Sequence, residues 1–219
     1  GSRSQWAYRE IRRRIVELEM PPGATFTEGA LANALGMSKT PAREALSVLA
    51  AENYIDVLPQ TGYVIRPVTL RSIHSTFDTH IVLASRAAES VRADARLVDE
   101  WQATIAARGG GDDATAAGTY LHGYMRLHFA IAARAANRRL QPLLTRLLHH
   151  HERLLRLCAA HGAAPAHLVG DDQPMLDAWR AGQWVAAGDA ERARLQRCRD
   201  HVLNALVSPD NILDVAIRG

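Results

Sequence analysis

The chain has 219 residues, of which 47% are hydrophobic and 22% are charged, and its formal net charge is +3. This composition is ordinary for a globular protein, leaves room for two modest domains and excludes a wholly disordered chain. No apolar run approaches the roughly 20 residues that span a bilayer, so we expect a cytoplasmic protein with no membrane partner. Cys158 and Cys198 lack CxxC spacing and are expected to be free, buried thiols.

Three helices are predicted at the N-terminal end of the chain. The first covers residues 8–18, is short, basic and amphipathic, and is stopped by Pro21-Pro22-Gly23. Thr27 is the predicted N-cap of the second helix, and Ser38 is the predicted N-cap of the third. Four arginines crowd the first helix and form either a phosphate-contacting surface or a solvated face: Arg9, Arg12, Arg13 and Arg14.

A β-hairpin is predicted after the third helix. Residues 54–58 and 63–65 have strand patterns, and Pro59-Gln60-Thr61-Gly62 is a typical turn between them. The tip of this turn is small enough to approach a DNA backbone or a minor groove. Three helices followed by a hairpin is the order of a winged helix-turn-helix, which we predict for residues 3–67.

The third helix carries polar side chains suited to reading DNA. A helix that enters the major groove presents its first turns to the base edges. Lys39 and Arg43 can reach phosphates or guanine edges, and Ser38 and Thr40 can donate hydrogen bonds to phosphate. Glu44 either orients Arg43 or is surface charge, and the alternative for the whole helix is a surface that never contacts DNA. The candidate DNA-binding residues are Ser38, Lys39, Thr40, Arg43, Gln60, Thr61 and Gly62.

A longer motif surrounds this helix. It consists of Gly36-Met37-Ser38-Lys39-Thr40-Pro41-Ala42-Arg43-Glu44-Ala45-Leu46, preceded by Pro21-Pro22-Gly23 and followed by Thr61-Gly62-Tyr63-Val64. The motif closely resembles the N-terminal domain of the GntR family of bacterial transcription regulators. The resemblance implies DNA-contact roles for Lys39, Thr40, Arg43 and Gly62. The family often has an arginine where this chain has Gly29, so the resemblance carries no DNA contact over to the second helix.

The rest of the chain is rich in alanine and leucine and has no strand signal. Helices are predicted over residues 70–93, 119–136, 140–161, 174–187 and 190–206, with a break at 109–113. The predicted fold class is therefore mostly α, with the winged helix-turn-helix followed by an all-α helical-bundle effector domain. We place this effector domain at residues 68–207 and a C-terminal tail at residues 208–219.

An all-helical domain behind a GntR-type head resembles the FadR C-terminal (FCD) class, with the shorter VanR-like group as an alternative. That class binds a small effector, often a carboxylic acid, and often uses a divalent metal. By this resemblance, Leu127-His128-Phe129-Ala130-Ile131-Ala132 carries the first histidine ligand. The other ligand positions fall on Tyr124, where the class has an aspartate, on Asp172, where it has a histidine, and on His201.

The helix faces support part of this assignment. Tyr124 and His128 share one apolar face of their helix, which turns both side chains inward. His80 lies on an apolar stripe of the first bundle helix. Within the run of three histidines only His151 is at the centre of an apolar stripe, and His149 is expected to be solvated. The candidate effector ligands are His80, Tyr124, His128 and His151.

Two interpretations of this site stay open. The set His128, Asp172 and His201 would suit Zn(II), Mn(II) or Ni(II), with open positions for water or an acidic effector. In the alternative, Tyr124, His80 and His128 donate hydrogen bonds to an effector in a metal-free pocket. Either residue type also has an ordinary role, since a core histidine can be purely structural and Asp172 can be a helix N-cap.

The combined interpretation is a ligand-responsive transcription regulator, a repressor or an activator, and not an enzyme. It would bind two-fold operator DNA as a homodimer, with its affinity modulated by a small, acidic effector in the helical domain. One rival is a constitutive DNA-binding regulator with a degenerate, non-sensing FCD domain. The other is a metal enzyme of the two-histidine, one-carboxylate type, which leaves the first domain unexplained.

Overall fold

A computed structural model describes residues 1–93, 95–106, 114–165 and 169–207. The predicted break at 109–113 and the predicted tail at 208–219 lie outside the described residues. The chain divides into two compact units, one of Gly1–Thr69 and one that begins at Leu70. No helix in the described part is long and apolar enough to cross a membrane.

The first unit has the predicted winged helix-turn-helix order. Its elements are α1 Arg3–Val16, β1 Thr25–Phe26, α2 Glu28–Ala34, α3 Lys39–Ala51, β2 Ile55–Leu58 and β3 Gly62–Ile65. The strands form an antiparallel sheet in the order β1-β3-β2, with Thr25 opposite Val64 and Ile55 opposite Ile65. The two-residue strand β1 was not predicted, because so short a segment has no detectable alternation.

Local capping sets the beginnings of the first two helices. The Ser2 hydroxyl accepts from the Gln5 backbone N–H, and the Gln5 side chain accepts from the Ser2 backbone N–H, which forms a capping box. The Thr27 hydroxyl accepts from the backbone N–H of Ala30 at 3.2 Å, as predicted. Ser38 has the extended backbone of an N-cap, but its side chain makes no capping bond.

One apolar core joins the helices and the sheet of this unit. It contains Ala7, Ile11, Ile15, Leu46, Leu49, Ile55 and Ile65. Carboxylates on and just after α1 pair with part of its arginine cluster, because Arg13 contacts Glu10, Glu17 and Glu19, and Arg14 contacts Glu10. Two of the four clustered arginines on α1 are therefore already paired with carboxylates.

The described residues of the second unit form helices joined by turns and loops, with no strand among them. Its elements are α4 Leu70–Ser90, α5 Ala95–Ala106, α6 Ala114–Arg134, α7 Leu140–Ala160, α8 Gln173–Arg180 and α9 Trp184–Val207. Helix α5 was not predicted, because its inward face is marked by only Val98 and Trp101 amid charged residues. The predicted helix over 174–187 ends at Arg180, since Gly182 adopts a left-handed conformation with φ of +68°.

Helix α9 packs closely along α4. A Cβ atom added at Gly188 would lie 2.4 Å from Cγ of Glu89 and 2.9 Å from the carbonyl oxygen of Ser85. The indole N–H of Trp179 on α8 donates to the carbonyl of Ala88 at 3.0 Å, which ties α8 to the same helix. Both cysteines are free and buried as predicted, and burial raises the pKa of each thiol to about 12.

Gly62 is the tightest point of the small sheet. Its φ is +126°, and an added Cβ would lie 2.4 Å from the carbonyl oxygen of Phe26 in β1. We expect Gly62→Ala to lower the free energy of unfolding of the first unit by about 2 kcal/mol or more, because it adds both backbone strain and a backbone clash.

Gly36→Ala is the matched control for this prediction. Gly36 also has a positive φ, +62°, but nothing lies within 4 Å of an added Cβ. Its cost should be limited to backbone strain, about 1 kcal/mol. Urea unfolding of both variants measures the difference, and equal losses would contradict the proposed clash with Phe26.

Candidate nucleic-acid interface and buried polar cluster

The N-terminal turn of α3 presents polar side chains to solvent. Ser38, Lys39 and Thr40 are all exposed. The opposite face of the same helix is fixed in the core of the unit by Ala42, Ala45, Leu46 and Leu49. The helix therefore offers its first turn as a free surface on a rigid support, which a recognition helix requires.

An ion pair holds Arg43 in a defined direction. Its Nε donates to Oε2 of Glu28 at 2.8 Å, and its second terminal nitrogen donates to Oε1 at 2.9 Å. The Arg43 side chain stays 67% exposed, whereas Glu28 is 16% exposed. These hydrogen bonds raise the pKa of Arg43 and lower that of Glu28. The orienting carboxylate is thus Glu28 at the start of α2, and not the predicted neighbour Glu44.

The wing tip is a tight, exposed turn. Gln60 adopts a left-handed conformation with φ of +65°, and both Gln60 and Thr61 are exposed. Thr61 bonds back within the turn, from its backbone N–H to Leu58 and from its hydroxyl to the carbonyl of Pro59. Gly62 has a structural role in the sheet whether or not it also approaches DNA.

Gly29 lies beside the recognition turn. A Cβ atom added there would lie 3.7 Å from Cε of Lys39, an ordinary contact distance. An arginine at this position would start next to Lys39 and share its surface. With glycine, Lys39 and Arg43 are the cationic side chains of this face.

The second unit contains a cluster of buried polar side chains, which we call the buried cluster. Each member is at most 3% exposed. Helices α4, α6, α7 and α9 and the start of α8 all contribute to it. The buried cluster consists of His80, Tyr124, His128, His151, Asp172, Glu191 and Arg194.

One half of the buried cluster is ionic and is centred on Arg194. Its guanidinium pairs with both carboxylate oxygens of Glu191, at 2.8 and 2.7 Å, and its Nε lies 3.3 Å from Oδ1 of Asp172. The third nitrogen donates to the Tyr124 hydroxyl and to the carbonyl of Val169, both at 2.8 Å. Nε2 of His128 lies 3.3 Å from Oδ1 of Asp172.

The other half of the buried cluster is uncharged. The Tyr124 hydroxyl and Nε2 of His151 are 3.1 Å apart, and the rings of His80 and His151 meet edge to face at 4.8 Å. Burial lowers the pKa of both histidines well below its usual value, and the charge of Arg194 acts in the same direction. Burial likewise raises the pKa of Tyr124. All three side chains are therefore neutral at physiological pH.

The sequence-predicted ligands are brought together only in part. His80, Tyr124, His128 and His151 all lie in the buried cluster, and Asp172 faces His128. His201 does not join them, because it is exposed while Val202 beside it is buried. Because successive residues of a helix point about 100° apart, His201 faces away from the buried side on which Val202 lies.

A metal ion at the expected position would be next to an existing cation. Among the residues that the structure describes, no three or more His, Cys, Asp or Glu side chains are grouped to hold a metal. Oδ1 of Asp172 faces both His128 and Arg194 at 3.3 Å. A doubly charged ion about 4 Å from a guanidinium is repelled by roughly 8 kcal/mol at an effective dielectric constant of about 20. The expected ligand set is therefore not formed.

Two members of the buried cluster were missed by the sequence analysis. Glu191 and Arg194 are three residues apart on α9 and lie on the same buried face as Leu195, Cys198 and Val202. A charged pair on an apolar face is the signal that could have identified them. His149, expected to be solvated, is instead only 19% exposed and packs on the ring of Phe129 at 4.8 Å.

The first unit has the fold of a winged helix-turn-helix, and known proteins relate this unit to one family. Residues 3–65 match the model of the bacterial regulatory proteins of the gntR family. Residues 3–65 therefore form a domain that is similar to the DNA-binding domain of this family.

One similar protein matches most of the chain, and another matches a shorter part of it. A helix-turn-helix transcriptional regulator in an unstable DNA locus of Streptomyces ambofaciens is 28% identical over 208 residues, which cover 89% of this chain and 83% of that protein. A second regulator, from Agrobacterium vitis, is 34% identical over 82 residues, which cover 37% of this chain and 48% of that protein. Both relatives are helix-turn-helix transcriptional regulators.

Solved structures show the same fold for both units. McbR/YncC of E. coli has a TM-score of 0.72 at 20% identity, with 93% of this chain and 98% of that chain covered. A GntR transcriptional regulator from Rhodococcus sp. RHA1 also has a TM-score of 0.72, at 21% identity, with 94% and 99% covered. The predicted fold class, a winged helix-turn-helix followed by an all-α domain, is confirmed.

The neutral histidines predict a pH dependence of stability. A histidine whose folded pKa is depressed takes up a proton on unfolding once the pH falls below its unfolded pKa of about 6.5. Stability should therefore be highest above this pH and should fall below it, by up to about 1.4 kcal/mol per pH unit for each of His80 and His151.

His80→Leu tests this dependence. Both ring nitrogens of His80 are buried without a hydrogen-bond partner in the described structure, so leucine removes a proton site without breaking a hydrogen bond there. The free energy of unfolding, measured in urea between pH 7.5 and 5.5, should vary less steeply with pH in this variant. The difference in slope should correspond to the uptake of up to one proton fewer on unfolding. An unchanged slope would show that His80 is not neutral in the folded protein.

Proposed function

We propose that this chain is a GntR-type transcription regulator, that it binds a two-fold operator as a homodimer, and that a small organic acid in the helical unit changes its DNA affinity. The helical unit would then be an effector domain of the FadR C-terminal class, or of the shorter VanR-like group. The observation that carries the effector proposal is the set of buried imidazole nitrogens without hydrogen-bond partners in the second unit.

The DNA-binding proposal rests on the exposed first turn of α3. Ser38 and Thr40 are placed to bond phosphates, Lys39 to neutralise them, and Arg43 to read a guanine edge. The Glu28 carboxylate supports this role of Arg43, because it holds the guanidinium in one direction while leaving most of it exposed. Gln60 and Thr61 at the wing tip would approach the adjacent backbone or minor groove.

The effector proposal rests on unsatisfied polar atoms. Both ring nitrogens of His80 and Nδ1 of His151 are buried and have no hydrogen-bond partner in the described part of the chain. Leaving such a group unpaired costs about 1–3 kcal/mol, so a protein gains by retaining it only where something else binds it. Neutral imidazoles can donate to a carboxylate and accept from a hydroxyl, which suits a small hydroxylated or carboxylic acid.

The ligand would act by favouring one of two conformations. A bound effector changes DNA affinity only as far as it binds the two states with different affinity. Because its contacts join helices α4 and α7, occupancy would alter how these helices pack. In a dimer on a two-fold operator, such a change would alter the spacing of two recognition helices.

Arg43 gives the first test of the DNA-binding proposal. Operator fragments are selected from random duplexes with the purified protein, and affinities are measured by mobility shift at fixed salt. Arg43→Ala should weaken specific binding by about tenfold to a hundredfold, the value of one bidentate guanine contact of about 1–3 kcal/mol. Non-specific binding should change much less.

Two further variants complete this test. Glu28→Gln keeps the size of the side chain but loses the ion pair, and it should reduce specific binding less than Arg43→Ala does. Arg138→Ala removes an exposed arginine from the helical unit and should leave operator binding unchanged. Wild-type affinity and specificity in Arg43→Ala would refute the assignment of α3 as the recognition helix.

Thermal shifts test the effector proposal. A panel of small carboxylic acids is screened against the wild-type protein, and a binding acid should raise the melting temperature and change operator affinity. His80→Leu should lose both effects while its ligand-free form still binds the operator. His122→Leu, which changes an exposed histidine of α6, is the matched control and should respond like wild type. If no acid has an effect, the constitutive alternative with a non-sensing domain replaces this proposal.

A further inference from the structure

The ionic half of the buried cluster already holds a cation at the position where a metal was expected. Arg194 is 1% exposed, and its Nε lies 3.3 Å from Oδ1 of Asp172 and 2.8 Å from Oε2 of Glu191. Oδ1 of Asp172 is also 3.3 Å from Nε2 of His128, one of the expected metal ligands. The same carboxylate oxygen therefore faces both the histidine and the guanidinium.

We infer that Arg194 takes the place of the divalent cation, so that this site works without a metal. Two buried carboxylates require a compensating positive charge, which either a bound ion or a side chain can supply. A guanidinium supplies it with a planar fork that matches the two oxygens of Glu191. This inference extends to the effector only if the proposed function holds. In that case imidazole hydrogen bonds, and not coordination to an ion, would recognise the effector.

The neighbours of Arg194 fit the replacement of a divalent ion by a guanidinium. Tyr124 occupies the position where the family resemblance expects an aspartate ligand, and its hydroxyl accepts a hydrogen bond from Arg194 at 2.8 Å. A tyrosine there offers the guanidinium a hydrogen-bond acceptor in place of a carboxylate that would coordinate an ion. The carbonyl of Val169 accepts a further hydrogen bond at 2.8 Å, so the guanidinium is fixed by a residue ahead of α8 as well as by α6 and α9.

Metal content and thermal stability of the full-length protein test the inference. The protein is purified without chelator, dialysed in turn against Mn(II), Zn(II) and Ni(II), passed through gel filtration and analysed for bound metal. We expect far less than one ion per chain, and no change in melting temperature with either metal or EDTA. A stoichiometric ion, or destabilisation by EDTA, would overturn the inference.

Charge variants separate a cation substitute from a merely structural arginine. Arg194→Met leaves Asp172 and Glu191 without their counter-charge, so its melting temperature should fall and should recover in part when Mn(II) is added. Arg194→Lys keeps the charge and should show no response to Mn(II). The triple variant Asp172→Asn, Glu191→Gln, Arg194→Met has no charge to compensate and should also show none.

These results remain decisive if one variant does not fold. Should Arg194→Met be insoluble, it can be refolded with and without Mn(II), and recovery of folded protein only with Mn(II) supports the inference. If the folded or refolded Arg194→Met variant has the same stability with and without Mn(II), the inference is overturned. If an acid shifts the wild-type melting temperature only with metal present, the inference fails and the sensor role stands. If no acid acts in either condition, the sensor role fails alone.

Discussion

The buried guanidinium of Arg194 is the constraint on which the helical unit depends. A charge removed from water is tolerated only when it is paired and its hydrogen bonds are made, and breaking such a pair strongly destabilises a protein. Arg194 on α9 binds Glu191 on its own helix, Tyr124 on α6 and the carbonyl of Val169 ahead of α8. The hydroxyl of Tyr124 then reaches His151 on α7. Few arrangements of these helices satisfy all of these bonds at once.

The ion pair of the first unit has a different physical meaning. Arg43 is largely exposed, and exposed pairs contribute little to stability, typically about 0–1 kcal/mol. Its value is geometric, since a bidentate pair restricts the direction of a flexible side chain. Glu28 and Arg43 come from two consecutive helices, so the packing of α2 on α3 sets where the guanidinium is offered. In the helical unit, the charge network around Arg194 constrains how the helices pack. In the first unit, the packing of the helices instead determines the position of the Arg43 guanidinium.

The sequence predicted those features that depend on local spacing. Capping at Thr27 and the order of three helices and a hairpin could be predicted because both signals lie within a few residues. His80 and His151 could be assigned to the interior because each lies on an apolar helix stripe. Arg194 could not, because its burial depends on partners from other helices that the sequence of α9 does not reveal. His201 shows the same limit, since one residue of register decides which side chain faces inward.

The buried cluster has an ionic half, centred on Arg194, and an uncharged half that contains His80 and His151. The donors of Arg194 are engaged with protein acceptors, so this half is suited to holding the helices together. The nitrogens of His80 are not engaged in the described structure, so the other half is suited to a ligand. His80 lies on α4, the helix that begins one residue after the first unit ends. In the proposed response, a ligand bound at His80 therefore acts on the helix that is directly continuous with the DNA-binding unit, while Arg194 keeps the rest of the bundle in place.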